Sequence, residues 1–513
     1  MKLRSNILKL CLFATGLSGI VAEYVLSTLA TYFLGNSVLQ WTMIVSIMLF
    51  SMGLGARITK MMEGHLLEKF IWIEIALSIL ASLVSLLTYT AATYTMYTGV
   101  VIYALCIIIG LLIGMEIPLV IRINDSFETL KINVSSMMEK DYYGSLLGGV
   151  FFAFVGLPFL GLTYTPFVLG FVNYAVAIVL LAVLWNDLGA AVKTRLGTAN
   201  VLVLFVLFAG MFSADRIIEH GEEMRYKDNV IFSKQTKYQK LVITQSHGDY
   251  WLFINGNQQL STVDEIMYHE PLVHPLMKLS PNPTDILILG GGDGCAVREV
   301  LKYDRAKNIT LVDLDPDMTR LAMEHQVLSE INQNALKDPK VSIINEDGYT
   351  YLERTDQYYD VVIVDLPDPK SIELGRLYSY EFYKLCNNVM RPNGLIITQA
   401  GSPYFAARAF KCIDKTMEAA GFSTVPLHNQ VVTLGEWGWI SGAKSLSKDQ
   451  FKAALKGLDF AGIPTKWINH EAMTLMTSFG KDFTIKPGDS IAINTIHHPV
   501  LFQYYMNGDW DLY

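Results

Sequence analysis

The sequence predicts an α-helical multi-pass membrane domain, then a small antiparallel β unit, then an α/β domain built on a parallel sheet. Three observations carry this. Hydrophobic residues make up 51% of the 513 and charged residues only 17%, with mean hydropathy +0.32, too apolar for an ordinary soluble chain. The apolar excess is concentrated in residues 1–215. Beyond residue 285, short β-prone runs alternate with helix-patterned segments. The domains expected are 1–215 (membrane), 222–265 (β unit), 266–445 (parallel sheet) and 446–513 (C-terminal extension).

Seven segments have spanning length: 8–34, 38–56, 70–90, 97–121, 144–161, 165–185 and 199–214. The first starts with Lys2, Arg4 and Lys9, as a signal peptide would. However, Ile20 stands three residues before the one candidate cleavage site ahead of Glu23, and more spans follow, so a retained helix is expected. Basic residues fall in alternate connections: Lys2, Arg4 and Lys9; Arg57, Lys60 and Lys69; Arg122, Lys131 and Lys140; Lys193 and Arg195. The positive-inside rule then places the N-terminus in the cytoplasm. Seven crossings would put the C-terminal domain outside. Glu23 and Glu116 lie within apolar spans, where an acid is either functional or paired near a boundary, with Tyr24 or Arg122 as neighbours.

Net charge is −8 and no Lys/Arg-rich run is present, so nucleic acid is not an expected partner. Cys11, Cys106, Cys295, Cys386 and Cys412 have no CxxC spacing and imply neither a zinc site nor a disulfide framework; no metal is expected.

Residues 222–265 hold short β-prone runs separated by "HGD" and "NGN", which read as hairpin turns. "VDEIMYHEPLVHPLMKL" has helical spacing and ends at the breaker "SPNP". Then come the strand "DILILGG", the helix "CAVREVLKY", the strand "NITLVDLD", a helix opening on Pro316, and the strands "KVSIINEDG" and "YDVVIVDLPDP". The helix "SYEFYKLCNNVM", the strand "GLIITQAG", the helix "ARAFKCIDKTMEAAG" and the strand-like "VVTLGEWGWISGA" follow. This is a Rossmann-like order, which places ligands at the strand C-termini.

Acids gather at those ends: Asp293, Asp313, Asp315, Asp347, Asp365 and Asp368. Gly290, Gly291 and Gly292 close a strand before a helix, a weak signal for a nucleotide or nucleoside loop. Asp313, 20 residues beyond Asp293, suits two ribose hydroxyls, and Asp347–Gly348 suits an adenine amino group. Each acid taken singly is equally well a helix N-cap or turn residue. Four consecutive strands ending in acids weigh against that. Asp293 would repel a pyrophosphate, so a cationic adenosine fits better. S-adenosylmethionine is one; its decarboxylated form ends in an ammonium alone, which Asp293 suits.

Residues 225–442 resemble the polyamine aminopropyltransferases, the spermidine synthases. The resemblance rests on "YQKLVI", "NQQLSTVDEIMYHE", "ILILGGGDGCAVREVLKY", "ITLVDLDP", "NEDGYTYL", "YDVVIVDLPDP", "LYSYEFY" and "TQAGSP", in that order. The apolar spans and the tail "NTIHHPVLFQYYMNGDWDLY" resemble the membrane-linked branch of that family. The resemblance implies a methyltransferase-type Rossmann-like domain. It implies Gln239 near the nucleoside, His269 in the substrate cleft, Asp293 on the aminopropyl ammonium, Asp313 on the ribose, and Asp347 with Gly348 on adenine. It further implies Asp365 as proton acceptor and Asp368 as its companion on the amine, with Gln259, Asp264, Tyr268 and Trp437 lining the cleft. Three departures stand out. Leu366 and Pro367 replace small polar residues between the two acids, Asp313 replaces a glutamate, and Cys295 replaces a glycine. Cys295 reads as a small buried filler rather than a reactive thiol.

The implied reaction moves the aminopropyl group of decarboxylated S-adenosylmethionine, a co-substrate rather than a cofactor, to a diamine, putrescine first, giving spermidine and methylthioadenosine. Asp365 would take the proton, and Asp368, Asp264 or Glu270 would hold the remaining charge. The alternatives are methyl transfer from S-adenosylmethionine, or a membrane polyamine sensor or transporter whose soluble part only binds. A homo-oligomer is implied by the soluble relatives. The expected location is the inner cell membrane. A cytoplasmic catalytic domain is favoured because the substrates are cytosolic, which requires one crossing fewer than seven.

Overall fold

The computed structural model describes all residues except 1, 36, 126–128, 227, 481–489 and 511–513. The last three residues of the tail motif therefore lie outside the described residues. The chain divides into two compact units, Met1–Val230 and Ile231–Tyr513.

The first unit is helical: α1 (Lys2–Leu34), α2 (Ser37–Ile58), α3 (Leu66–Tyr94), α4 (Thr98–Asn124), α5 (Leu130–Phe151), α6 (Gly161–Val183) and α7 (Ala190–Tyr226). α7 runs well past the expected end of the last span at residue 214. Apolar side chains such as Phe50, Leu146, Phe154, Phe205 and Phe212 point outward, while Glu74, Ser78, Glu116 and Asn173 are buried. This inside-out distribution suits a lipid surround. Glycines let the helices approach closely: a Cβ on Gly144 would lie 1.9 Å from the Phe13 carbonyl oxygen, and one on Gly114 2.1 Å from that of Met52.

Among the described residues, six helical runs are long and apolar enough to cross a membrane, against seven expected. The difference lies at Leu130–Val183, which counts as one run of 54 residues. At 1.5 Å per residue a straight helix of that length would measure about 81 Å, far more than a bilayer. It is instead bent back. A π-helical stretch with Pro158 inside it leads to Gly161 at φ 62°, where the chain turns. Gly144 and Gly148 meet Phe13 and Leu17 in rising order, so α5 runs parallel to α1. Tyr32 of α1 lies beside Tyr89 of α3, the rings tilted and each near its helix C-terminus. Ser85 donates to the Leu162 carbonyl and Ser78 to that of Gly170, so α6 runs against α3. The fifth and sixth expected segments are thus the two limbs of a helical hairpin.

The second unit opens with β1 (Asn229–Gln235), β2 (Lys240–Ser246), β3 (Asp249–Ile254) and β4 (Asn257–Ser261), a four-stranded sheet in that order. Then follow α8 (Ile266–Leu279), β5 (Asp285–Gly290), α9 (Cys295–Leu301), β6 (Asn308–Asp313), α10 (Pro316–Glu324), α11 (Gln326–Ile331), β7 (Val341–Asn345), α12 (Gly348–Arg354) and β8 (Tyr359–Asp365). The chain ends with α13 (Ile372–Gly375), α14 (Tyr380–Asn388), β9 (Met390–Gly401), α15 (Ala407–Ala419), β10 (Ser423–Val431), β11 (Gly435–Ala443), α16 (Lys448–Lys456), α17 (His470–Met476) and α18 (Leu501–Met506).

The large sheet has the order β10-β11-β9-β8-β5-β6-β7, with β5 to β9 parallel and β11 antiparallel to both neighbours. This is the methyltransferase-type Rossmann-like arrangement. The central strands read as unbroken apolar runs because helices cover both faces. Ile286, Ile288, Ile363 and Ile397 pack one way, and Leu287, Leu289, Val362 and Ile396 the other. The C-terminal extension adds to both cores: Phe451 and Met473 to the first, Leu501 and Tyr505 to the second.

Candidate active site

The site begins where β5 and β8 end side by side, with Gly290 opposite Asp365 in the ladder. Gly290 has φ 80°, and a Cβ there would lie 2.1 Å from the Asp365 carbonyl oxygen, so only glycine fits. The Gly291 N–H donates to that carbonyl at 3.0 Å. Farther along the loop, a Cβ on Gly292 would lie 2.6 Å from Asp313 Oδ2. The three glycines thus let the ends of β5, β6 and β8 converge. Asp293 follows, its Oδ1 accepting from the Cys295 N–H at 2.7 Å.

Helix α8 supplies the facing side chains. Pro271 inside it cannot donate to the Met267 carbonyl, and Asn429 Nδ2 donates there instead at 2.9 Å. On that first turn, the Tyr268 hydroxyl donates to Asp365 Oδ1 at 2.7 Å. His269 Nδ1 lies 2.9 Å from Glu265 Oε2, and its Nε2 lies 4.0 Å from Asp293 Oδ1. His269, Asp293 and Asp365 form one group whose nearest polar atoms lie within 4.8 Å of one another. Glu265 is held in turn by both terminal nitrogens of Arg298, each at 2.8 Å.

The charges follow from this geometry. Burial alone would lower His269, but the Glu265 hydrogen bond and the Asp293, Glu265 and Asp365 charges raise it to about 9, so it is a cation at neutral pH. Burial opposes ionisation of Glu265, yet His269 and Arg298 hold it down at about 2. Burial raises Asp365 to about 6, with the Asp293 charge adding and His269 and Tyr268 opposing. Burial likewise raises Asp313 to about 6, against the Asp315 and Gly292 N–H groups. A carboxylate near 6 is a better proton acceptor at neutral pH than an ordinary aspartate.

Asp368 lies on the loop after β8. Its Oδ2 accepts from the Tyr505 hydroxyl at 2.7 Å and faces Lys370 Nζ at 3.5 Å, while Gln399 Nε2 reaches Oδ1 at 3.5 Å. Leu366 and Pro367 are held by their carbonyls. Tyr378 donates to both, at 3.1 and 3.0 Å, and Gln399 donates to that of Leu366 at 2.8 Å. The two acids therefore keep a fixed spacing although the residues between them are apolar.

The profile of the spermine/spermidine synthase domain matches residues 265–453. A polyamine aminopropyltransferase of Aquifex aeolicus is 39% identical over 503 residues, covering 98% of each chain. One from Leptospira interrogans is 37% identical over 498 residues, covering 96% of each. The chain belongs to the polyamine aminopropyltransferase family. The solved spermidine synthase of Thermotoga maritima is 26% identical over 49% of this chain and 85% of that one, with a TM-score of 0.44.

Not every residue expected in this aminopropyltransferase cleft is free to line it. Asp264 is buried and accepts from the Thr433 N–H at 2.5 Å and its hydroxyl at 3.0 Å, so it pins the β10–β11 turn. Glu270 is fully buried and accepts from the N–H groups of Lys466, Trp467 and Ile468, anchoring the extension. Asp347 caps α12 through Thr350, and its other oxygen pairs with Arg376 at 2.8 Å. Gly348 is the first residue of that helix. Gln259 Nε2 donates to the Asn257 and Gln258 carbonyls within its own strand region. Trp437 is 8% exposed and sits in the core under the sheet. Gln239 lies in the β1–β2 turn, its N–H bonded to Thr236, whose hydroxyl donates to Asp315. Cys295 is a buried thiol whose pKa burial pushes well up, a filler as expected.

Sequence reading missed Glu265, Arg298, Lys370, Gln399 and Tyr505. Glu265 sits four residues before His269, a helical spacing that could have flagged it. Nothing local signals Tyr505, 137 residues from its partner.

Proposed function

We propose that the chain transfers the aminopropyl group of decarboxylated S-adenosylmethionine to putrescine, giving spermidine and methylthioadenosine, with Asp365 as the base. The observation that carries this is the Tyr268–Asp365–His269–Asp293 group at the end of the glycine loop. A diamine is a dication at neutral pH and needs one nitrogen deprotonated. Asp365, raised to about 6 by burial, accepts that proton. The freed lone pair attacks the propyl carbon beside sulfur. The new N–C bond forms as the C–S bond breaks, and the sulfonium's positive charge is quenched on methylthioadenosine. Asp293 suits the aminopropyl ammonium, Asp313 the ribose and Asp368 the far ammonium of the acceptor. Gln239, Asp347 and Gly348 keep their proposed nucleoside roles through backbone or solvent-facing atoms. Positioning two cations together in an acidic cleft supplies most of the acceleration.

The test uses the full chain in nanodiscs with decarboxylated S-adenosylmethionine and a panel of amines, read by mass spectrometry. Spermidine from putrescine, lost in Asp365→Asn, supports the proposal. Nucleoside binding with no product from any amine would sink it and favour methyl transfer or sensing.

The catalytic unit is proposed to face the cytoplasm, where the substrates are made, and to work as a homo-oligomer in the inner membrane. With helices alternating through α7, a cytoplasmic catalytic unit requires an external N-terminus, against the loop charges. Reporter fusions at both ends read the side directly, and light scattering of the purified chain reads the subunit number.

A further inference from the structure

Catalysis as proposed above uses nothing from the helical unit, yet that unit buries a costly polar group. Glu74 of α3 is 0% exposed and Glu116 of α4 is 1% exposed. Their carboxyl groups face each other within hydrogen-bond reach. α1 and α4 run oppositely, since Gly99 meets Leu34 and Gly19 meets Ile113. The start of α3 and the end of α4 therefore lie on the same side of the bundle. Each glutamate stands eight residues, or about 12 Å, in from that end.

Glu116 lines a water-sized cavity with Thr15, Ser18 and Asn173 among apolar residues of α1, α3 and α4, and Glu74 faces Glu116 from α3. Among the described residues, neither Glu74 oxygen has a hydrogen-bond donor, nor has Glu116 Oε1 or Asn173 Oδ1. Four acceptor oxygens are thus without a donor: Glu116 Oε1 and Asn173 Oδ1, on side chains that line the cavity, and the two of Glu74, which faces Glu116. One shared proton forms one O–H and satisfies one pair; a second proton, on the other acid, is needed to satisfy more. A metal ion at the cavity can meet several of these oxygens at once, and the Thr15 and Ser18 hydroxyl oxygens can complete its shell. An all-oxygen set with two carboxylates is a hard-cation set. The cavity excludes a polyamine by size, and it excludes an ion that keeps several waters, as magnesium does.

We propose that Glu74, Glu116 and Asn173, with Thr15 and Ser18, form an intramembrane site for one small hard cation of sodium or calcium size. A calcium ion there balances both buried acids, a sodium ion balances one and leaves a proton on the other, and either ties α1, α3, α4 and α6 together. It is independent of the aminopropyl transfer.

The test uses the full chain in nanodiscs, chelator-treated and held in choline chloride. Sodium and calcium are titrated separately, with spermidine as a third arm. The expected result is a saturable rise in melting temperature with one of the two ions. Radioactive sodium or calcium should bind at one per chain, and spermidine should bring no such rise. Glu74→Gln and Glu116→Gln should each weaken half-saturation at least tenfold, with aminopropyl turnover unchanged. If both variants misfold, Asn173→Ala, which removes one carbonyl ligand, should weaken it several-fold. A melting temperature that responds to pH but to neither ion assigns the pair a shared proton and overturns the proposal. An ion response that survives in the variants, or a spermidine response that they abolish, overturns it too.

Discussion

The Tyr505 hydroxyl, on the last helix of the chain, donates to Asp368 Oδ2 at 2.7 Å. The extension thereby reaches one of the two acids after β8. Lys370 Nζ faces the same oxygen and also donates to Asn257 Oδ1 at 2.7 Å, so it has a second place to rest when an ammonium arrives. Tyr505→Phe keeps the ring's packing and removes the bond that orients the carboxylate. A hydrogen bond to a charged group contributes about 1.5–3 kcal/mol, so the KM for the acceptor amine should rise roughly tenfold or more. The KM for the nucleoside co-substrate should stay within about twofold, because Asp293, on the loop after β5, and Asp313, at the end of β6, lie elsewhere in the sheet. Steady-state kinetics with each substrate varied separately checks this. An equal change in both constants would mean that Tyr505 serves folding alone.

Asp365→Asn removes the proton acceptor while keeping the side-chain shape and an acceptor for the Tyr268 hydroxyl. General-base loss typically costs about 10²–10⁴ in rate, and kcat should fall by that much with nucleoside binding little changed. Because burial and Asp293 raise Asp365 to about 6, the wild-type rate should climb with pH through about 6 and then level off. The residual rate of the variant should lack that limb. A pH–rate profile of both proteins is the measurement.

The parallel sheet was legible because βαβ alternation survives in a single sequence, and the acids at the strand ends came with it. The helices were legible from apolar runs of spanning length. What was not legible is non-local. Asp264 and Glu270 carry the same charge as Asp293 and sit in the motif that holds His269, but their partners, Thr433 and the 466–468 backbone, lie more than 160 residues away. The turn at Gly161 lies between the fifth and sixth expected segments, and the apolar stretch runs on through it because Gly161 and Pro158 interrupt hydrogen bonding rather than hydropathy.

Asp264 therefore separates the sequence reading from the structural one. If it held the amine, Asp264→Asn would raise the acceptor KM. The geometry instead has it fixing Thr433 at the β10–β11 turn. The expected outcome is a loss of about 1–3 kcal/mol in stability, typical of a buried bond left unmade, with acceptor KM nearly unchanged in the folded fraction. Chemical unfolding beside kinetics on the same preparation distinguishes the two.

The Arg298–Glu265–His269 chain makes the sharpest pH prediction. Arg298→Met would leave Glu265 and Glu299 buried without their shared cation, which costs about 3–5 kcal/mol for a broken buried pair. Glu265→Gln is milder and exposes the linkage. Glu265 is held at about 2, below its ordinary 4.5, so its contribution is present above 4.5 and is lost as pH falls toward about 2. His269 is raised from 6.5 to about 9, so its contribution is present below 6.5 and is lost as pH rises through about 9. Asp313 and Asp365, raised to about 6, act in the sense of His269 and opposite to Glu265: their contribution is present at low pH and is lost as pH rises through about 6. Both remain in the variant; Asp313 cancels from a difference curve, and Asp365 does so wherever His269 keeps its charge. The advantage of wild type over Glu265→Gln should therefore be greatest between pH 4.5 and 6.5 and shrink on either side. Hydrogen exchange of the peptide spanning α8, followed from pH 3 to 10 in both proteins, reads that window. A difference that stays flat across the range would mean that Glu265 does not hold the charge of His269.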